Sequence, residues 1–182
     1  MINYQNIANS IEYYSKHGFI RVEVPWAVTK EVSGITRPPE ARDFSINETG
    51  KVLVASAEQG FLYQYLKEFL PKGRFQAVTP CFRNNSFDEL HTKYFMKNEL
   101  IDTIKVDLST LHKMLRQAQC FFQNHLPEPE KVIVKKIPGE TQFDIEYKGI
   151  ELGSYGIRHC SFISWVYGTA CAEPRLSHCQ GI

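Results

Sequence analysis

The stretch that most constrains the fold runs from Ala77 to Ile101, AVTPCFRNNSFDELHTKYFMKNELI. A short apolar run ends at Cys81, Phe82 and Arg83, a polar segment rich in Asn, Ser and Asp follows, and Tyr94, Phe95, Leu100 and Ile101 resume around Glu99. That order predicts strand, loop, strand. An arginine at the exit of one strand and a glutamate inside the returning one put opposite charges on one sheet, with His91 at the end of the loop between them. Charged groups inside a sheet are costly unless they meet a partner or a ligand. Two readings follow: a hairpin whose Arg83 and Glu99 form a structural ion pair on a solvated face, or a site for a charged ligand.

At 182 residues the chain fits one domain, 1–182, long enough to bury a substantial core. A hydrophobic content of 43% and a charged content of 23% exclude a disordered or fibrous chain. The formal net charge of +1 gives no general basic footprint for nucleic acid. No apolar run approaches the length of a membrane helix, and the N-terminus, MINYQNIANS, lacks a basic region followed by a hydrophobic one, so a cytoplasmic protein is expected. Five cysteines without CxxC spacing argue against a disulfide framework. Cys160, Cys171 and Cys179 lie close together in sequence, but without the paired ligand spacing of structural zinc sites they read as buried free thiols.

Around the hairpin, apolar spacing predicts a helix over 2–17 ended by Gly18, then a strand over 19–26 ended by Pro25. Residues 27–50, broken by Gly34, Pro38, Pro39 and Gly50, read as loops with one short strand over 43–46. A strand over 51–55 leads to a helix over 56–70, with Ser56 as its N-cap and Glu58 in its first turn. A second long helix is expected over 108–126, capped by Asp107 or Ser109, and strands over 131–137, 141–147 and 149–152. Glu151, on a strand next to the small hydroxyl-bearing turn Leu152-Gly153-Ser154, has the chemistry to hold Mg²⁺ with substrate phosphates, since magnesium takes one or two carboxylates and keeps several waters.

Five of these elements resemble parts of the class II aminoacyl-tRNA synthetase catalytic domain. The helix, Gly18-Phe19 and the strand to Pro25 resemble motif 1. Thr79-Pro80-Cys81-Phe82-Arg83, His91, Phe95 and Glu99 resemble motif 2, in its seryl form. Ser56-Ala57-Glu58 is similar to the element whose glutamate takes the substrate's α-amino group. The string Glu151 to Arg158 resembles the aspartyl synthetases and the ammonia-dependent asparagine synthetase, and Gly168 to Leu176 resembles motif 3. The resemblance implies an α+β fold, an antiparallel sheet flanked by helices, without an anticodon-binding domain. It implies ATP and Mg²⁺ as partners of the site, with Arg83 on the α-phosphate, His91 toward the phosphates, Phe95 on adenine, Asn85 near the adenine amino group, Ser154 by the nucleotide, Glu151 on Mg²⁺ and Arg175 on the γ-phosphate. Arg83, Arg175 and Glu151 would then be the catalytic set.

Glu58, Glu99 and Arg158 would bind the amino acid. An arginine seven residues after Glu151 suggests a reader of an aspartate carboxylate, the competing expectation being that Arg158 pairs with Glu99 or Glu146. Phe61 stands where the aspartyl resemblance calls for a second cation. Asn85 replaces a family glutamate, two motif 3 glycines are alanines, and Glu173 adds negative charge near the expected phosphates. The implied activity is ATP-dependent activation of an amino acid as its adenylate. Transfer would follow to a carrier protein, a small molecule or a tRNA, from a homodimer formed through motif 1. The alternative is a catalytically silent paralogue acting as a ligand-binding regulatory or scaffold subunit.

Overall fold

The computed structural model describes residues 1–38, 41–83 and 93–182; Asn85 and His91 lie outside them. Helix α1 (Tyr4–Lys16) starts where the Asn3 side chain accepts the Gln5 N–H at 3.0 Å and stops before Gly18, whose φ of +84° suits glycine. The expected strand over 19–26 shortens to β1 (Ile20–Arg21). Val22 still donates to the Gln76 carbonyl at 3.0 Å, but Pro25 has no N–H for the ladder, and Val24 turns inward beneath Gly60.

Strand β2 (Ala27–Val28) pairs with β3 (Val52–Leu53) as a small separate ribbon, and the strand expected over 43–46 is only a bridge from Ser45 to Val52. Between them stands α2 (Lys30–Thr36), which the sequence reading took for loop. Thr29 caps it by accepting the Val32 N–H, and Glu31 favours its first turn. Burial of Val32 and Ser33 offsets the helix cost of Gly34, about 1 kcal/mol. Helix α3 (Ala57–Leu66) is capped by Ser56, as expected, and ends short of residue 70 where Glu68 takes φ +58°.

The central hairpin forms as read: β4 (Arg74–Phe82) and β5 (Tyr94–Asp102), antiparallel from Arg74↔Asp102 to Phe82↔Tyr94. Helix α4 (Leu108–His125), capped by Asp107, is followed by β6 (Val132–Lys136), β7 (Gln142–Tyr147), β8 (Ile150–His159), β9 (Ser164–Glu173) and the short α5 (Arg175–Gln180). The segment Gly153-Ser154, expected as a turn, lies inside β8. Its glycines serve close packing, since a Cβ on Gly153 would sit 2.5 Å from Thr169 Cβ and one on Gly156 2.8 Å from the Tyr167 ring.

The seven-stranded sheet has the order β1-β4-β5-β9-β8-β7-β6, antiparallel except for the parallel β1–β4 pair. One face is covered by α1, α4 and α5 around Tyr14, Phe121, Phe122, Leu111 and Tyr155. The other is covered, at its β4–β5 end, by α2, α3 and the small ribbon around Phe61, Leu62, Val54 and Trp165. The rest of that second face is open, and the site lies there. Phe61 is core, and does not face it.

Candidate functional site

A cavity of about 300 Å³ sits over β5, β9 and β8, walled by α3, by the end of β4 and by residues 36–38 and 41–43 at and beyond the end of α2. Strand side chains alternate between faces, so Phe95, Lys97 and Glu99 of β5 reach it together. Two bulges then reset the alternation. Opposite Asn98 and Glu99, β9 carries Ala170 as an extra residue, so that Thr169 and Ala172 both face the cavity. Opposite Ile145 and Glu146, β8 carries Leu152 as an extra residue, which brings Glu151 to the same face as Ser154 and Arg158. The first bulge also turns Glu173 away. Fully buried, it accepts hydrogen bonds from Asn6 Nδ2 and Ser177 Oγ, both at 2.7 Å, and adds no charge to the cavity, contrary to the reading from sequence.

At one end, Glu99 is gripped from three sides: by Lys97 Nζ at 2.7 Å, by Ser56 Oγ at 2.8 Å and by the backbone N–H of Ala57. Burial opposes its charge, but the Lys97 charge and these donors outweigh it and hold the carboxyl below the ordinary value. Glu99 therefore does not pair with Arg83. Arg83 instead donates through Nε to the Ala55 carbonyl at 3.4 Å and lies over the Phe95 ring at 5.0 Å.

Glu58 is buried beside it. Its Oε1 accepts from Trp165 Nε1 and its Oε2 from Arg158 Nη1, both at 2.5 Å. Burial raises its pKa, and nearby Glu99 adds to this, against the lowering effect of Arg158. Arg158 thus pairs neither with Glu99 nor with Glu146, which is held by Lys135. It lies across the Tyr167 ring at 4.2 Å, and burial pushes the Tyr167 hydroxyl up to about 12.

The other end is more open. Arg175, at the start of α5, donates to the Glu151 carbonyl at 2.9 Å and stands 3.4 Å from its carboxylate. Ser154 lies in the same wall, its N–H on Thr169 Oγ1 at 3.3 Å. Behind them Asp144, opposite Ser154 on β7, has a buried Oδ1 without a hydrogen-bond partner; burial raises its pKa, against the lowering effect of a Ser154 hydrogen bond to the carboxyl, and Glu151 raises it further. Of the ten expected site residues, the cavity gathers Arg83, Phe95, Glu99, Glu151, Ser154, Arg158, Arg175 and Glu58; Asn85 and His91 lie outside the described residues.

Sequence reasoning missed Lys97, Trp165, Tyr167, Thr169, Arg37 and Arg42. Lys97 was legible in principle, two residues before Glu99 and hence on its face. Arg37, ion-paired with Asp43, and Arg42 reach the cavity only because α2 exists. The cysteines take no part: among the described residues no three His, Cys, Asp or Glu side chains gather as a chelating set, and Cys171 and Cys179 are buried thiols.

No family model matches the sequence, and no curated protein sequence matches it either. Solved structures do. A pyrrolysyl-tRNA synthetase from Desulfitobacterium hafniense superposes with a TM-score of 0.73 at 16% identity, over 95% of this chain and 67% of that one. A seryl-tRNA synthetase from Pyrococcus horikoshii complexed with ATP gives 0.75 at 16% identity, over 95% and 48%. A cytoplasmic serine-tRNA ligase from Naegleria fowleri in complex with AMP gives 0.73 at 16%, over 96% and 52%. The chain thus spans between about half and two thirds of the length of these structures. No helix among the described residues is long and apolar enough to cross a membrane. The mixed seven-stranded sheet, its flanking helices and these superpositions give the chain the α+β fold of a class II aminoacyl-tRNA synthetase catalytic domain.

Proposed function

We propose that this domain activates an amino acid with ATP as the aminoacyl-adenylate. The observation that carries the reading is the convergence of Arg83, Glu99, Glu151 and Arg175, from four separate elements, on one cavity. The amino acid carboxylate attacks the α-phosphorus, a new O–P bond forms, the bond to the β-phosphate oxygen breaks, and pyrophosphate leaves with the electron pair. No side chain has to move a proton. Arg83 and Arg175 hold phosphate oxygens at the two ends, and Phe95 offers its ring to adenine. Glu99 takes the α-ammonium in place of Lys97. Rate then comes from positioning and from charge compensation.

Glu151 fits a magnesium ion: its side chain is half exposed toward the cavity, Ser154 adjoins it, and the orphaned Asp144 oxygen lies behind. Bound there with substrate, the ion would neutralise phosphate charge. The acyl group would pass to a carrier protein, a small molecule or a tRNA. A silent, ligand-binding paralogue is the second reading, favoured by the tie of Arg175 to the Glu151 backbone and carboxylate.

The deciding experiment is amino-acid-dependent ATP–pyrophosphate exchange. It is expected in the wild type and lost in Arg83→Ala and Arg175→Ala with the fold intact; exchange in neither wild type nor variants supports the silent reading. Exposed Ile20 and Trp26, beside the edge strand, support a two-fold homodimer through the motif 1 region. A monomer mass by sedimentation at micromolar concentration would remove that part.

A further inference from the structure

The amino-acid end of the cavity is closed by two self-neutralised pairs, Lys97–Glu99 and Arg158–Glu58. Each Glu58 oxygen already accepts a hydrogen bond, one from the Trp165 indole and one from Arg158, so a cationic side chain arriving there would have to compete with Arg158 for that carboxylate. Arg158 differs. A guanidinium has five N–H donors, one of which is used on Glu58, and its side chain remains 36% exposed on the cavity wall. The wall behind it is rigid: the Tyr167 hydroxyl donates to Gln142 at 3.1 Å, and the ring is backed by Gly156, where any Cβ would clash.

A carboxylate arriving at Arg158 would share one guanidinium with Glu58, with Glu99 a third acid nearby whose own cation, Lys97, it already holds. Two carboxylates on one cation repel unless one takes a proton. A neutral oxygen acceptor faces no such opposition and satisfies the spare donors. We propose that the side-chain subsite of this cavity selects an amino acid whose short side chain ends in an uncharged hydroxyl or amide, and excludes both acidic and basic amino acids. This rests on the reading that the cavity activates an amino acid, and it replaces the aspartate preference expected from sequence spacing.

The test is a pyrophosphate-exchange panel of the proteinogenic amino acids at neutral pH, on the wild type, Glu58→Gln and Arg158→Met. In the wild type a hydroxyl or amide amino acid should lead, with aspartate and glutamate about a hundredfold behind it. Glu58→Gln removes the opposing charge and should raise acidic amino acids about tenfold or more relative to the leader. Arg158→Met frees Glu58 and should raise lysine instead. A lead by an acidic, basic or purely apolar amino acid in the wild type overturns the proposal while leaving adenylation standing, as does an unchanged ranking in both variants. Should either variant fail to fold, the wild-type ranking decides alone. Absence of exchange with every amino acid overturns the adenylation reading, and this inference with it.

Discussion

The two ends of the cavity carry similar residues in opposite physical states. At the Glu58 end, an acid, a guanidinium and an indole N–H are packed to 2.5 Å contacts in the interior. At the Glu151 end, an acid and a guanidinium meet at 3.4 Å with the carboxylate side chain half exposed. Desolvation makes each contact of the first cluster matter to folding, because an unpaired buried charge is expensive. Solvent makes the second pair nearly dispensable for folding. The Glu58 carboxylate thus serves as scaffold at one end, while at the other the Glu151 carboxylate stays available to a ligand.

That contrast can be broken by substitution. The largest effect is expected from Glu58→Ala, which leaves Trp165 Nε1–H and Arg158 without their acceptor. Discounted for the partial exposure of Arg158, it should cost about 2–3 kcal/mol in urea unfolding. A loss below about 1 kcal/mol would show that water already shares the cluster.

A smaller effect, readable by its sign, comes from pH. The Glu99 carboxyl sits below its ordinary value, so its contribution is present above the unfolded value of about 4.3 and fades as pH falls through its lower folded value. Glu58 is raised, so stability is lost as pH rises through its folded value. Glu99→Gln should flatten the acid limb of stability against pH, and Glu58→Gln the limb above about pH 4.3. Urea midpoints measured across that range check both; identical slopes in the two variants would contradict the opposed shifts. The smallest change in stability is expected from Arg175→Ala, within about 1 kcal/mol, even though exchange disappears. An equal loss in Glu58→Ala and Arg175→Ala would erase the difference between the two ends.

What the sequence made legible follows the same division. Arg83, Glu99 and Glu151 stand out because charged residues flank or interrupt apolar strands, a local signal, while Arg175 is marked only by the resemblance of residues 168–176 to motif 3. The Glu58–Trp165–Arg158 cluster joins residues 100 and 107 positions apart, and no periodicity reports such a contact. The bulges at Ala170 and Leu152 were equally hidden, since each is defined by its partner strand, and Glu173 was assigned to the wrong face for that reason. Helix α2 was lost to Gly34, and β8 was cut short at its glycines, where burial and close packing override the breaker rule.

Strand β9 is the last strand among the described residues and lies between β5 and β8. Without residues 164–173 the strand order divides into β1-β4-β5 and β8-β7-β6, and β5 and β8 each lack the neighbour on the side that β9 fills. Such edges recruit other chains, and long-range pairing closes slowly. Self-association during synthesis is therefore a hazard concentrated in the interval before β9 appears, when the charged strands that will floor the cavity are still apart.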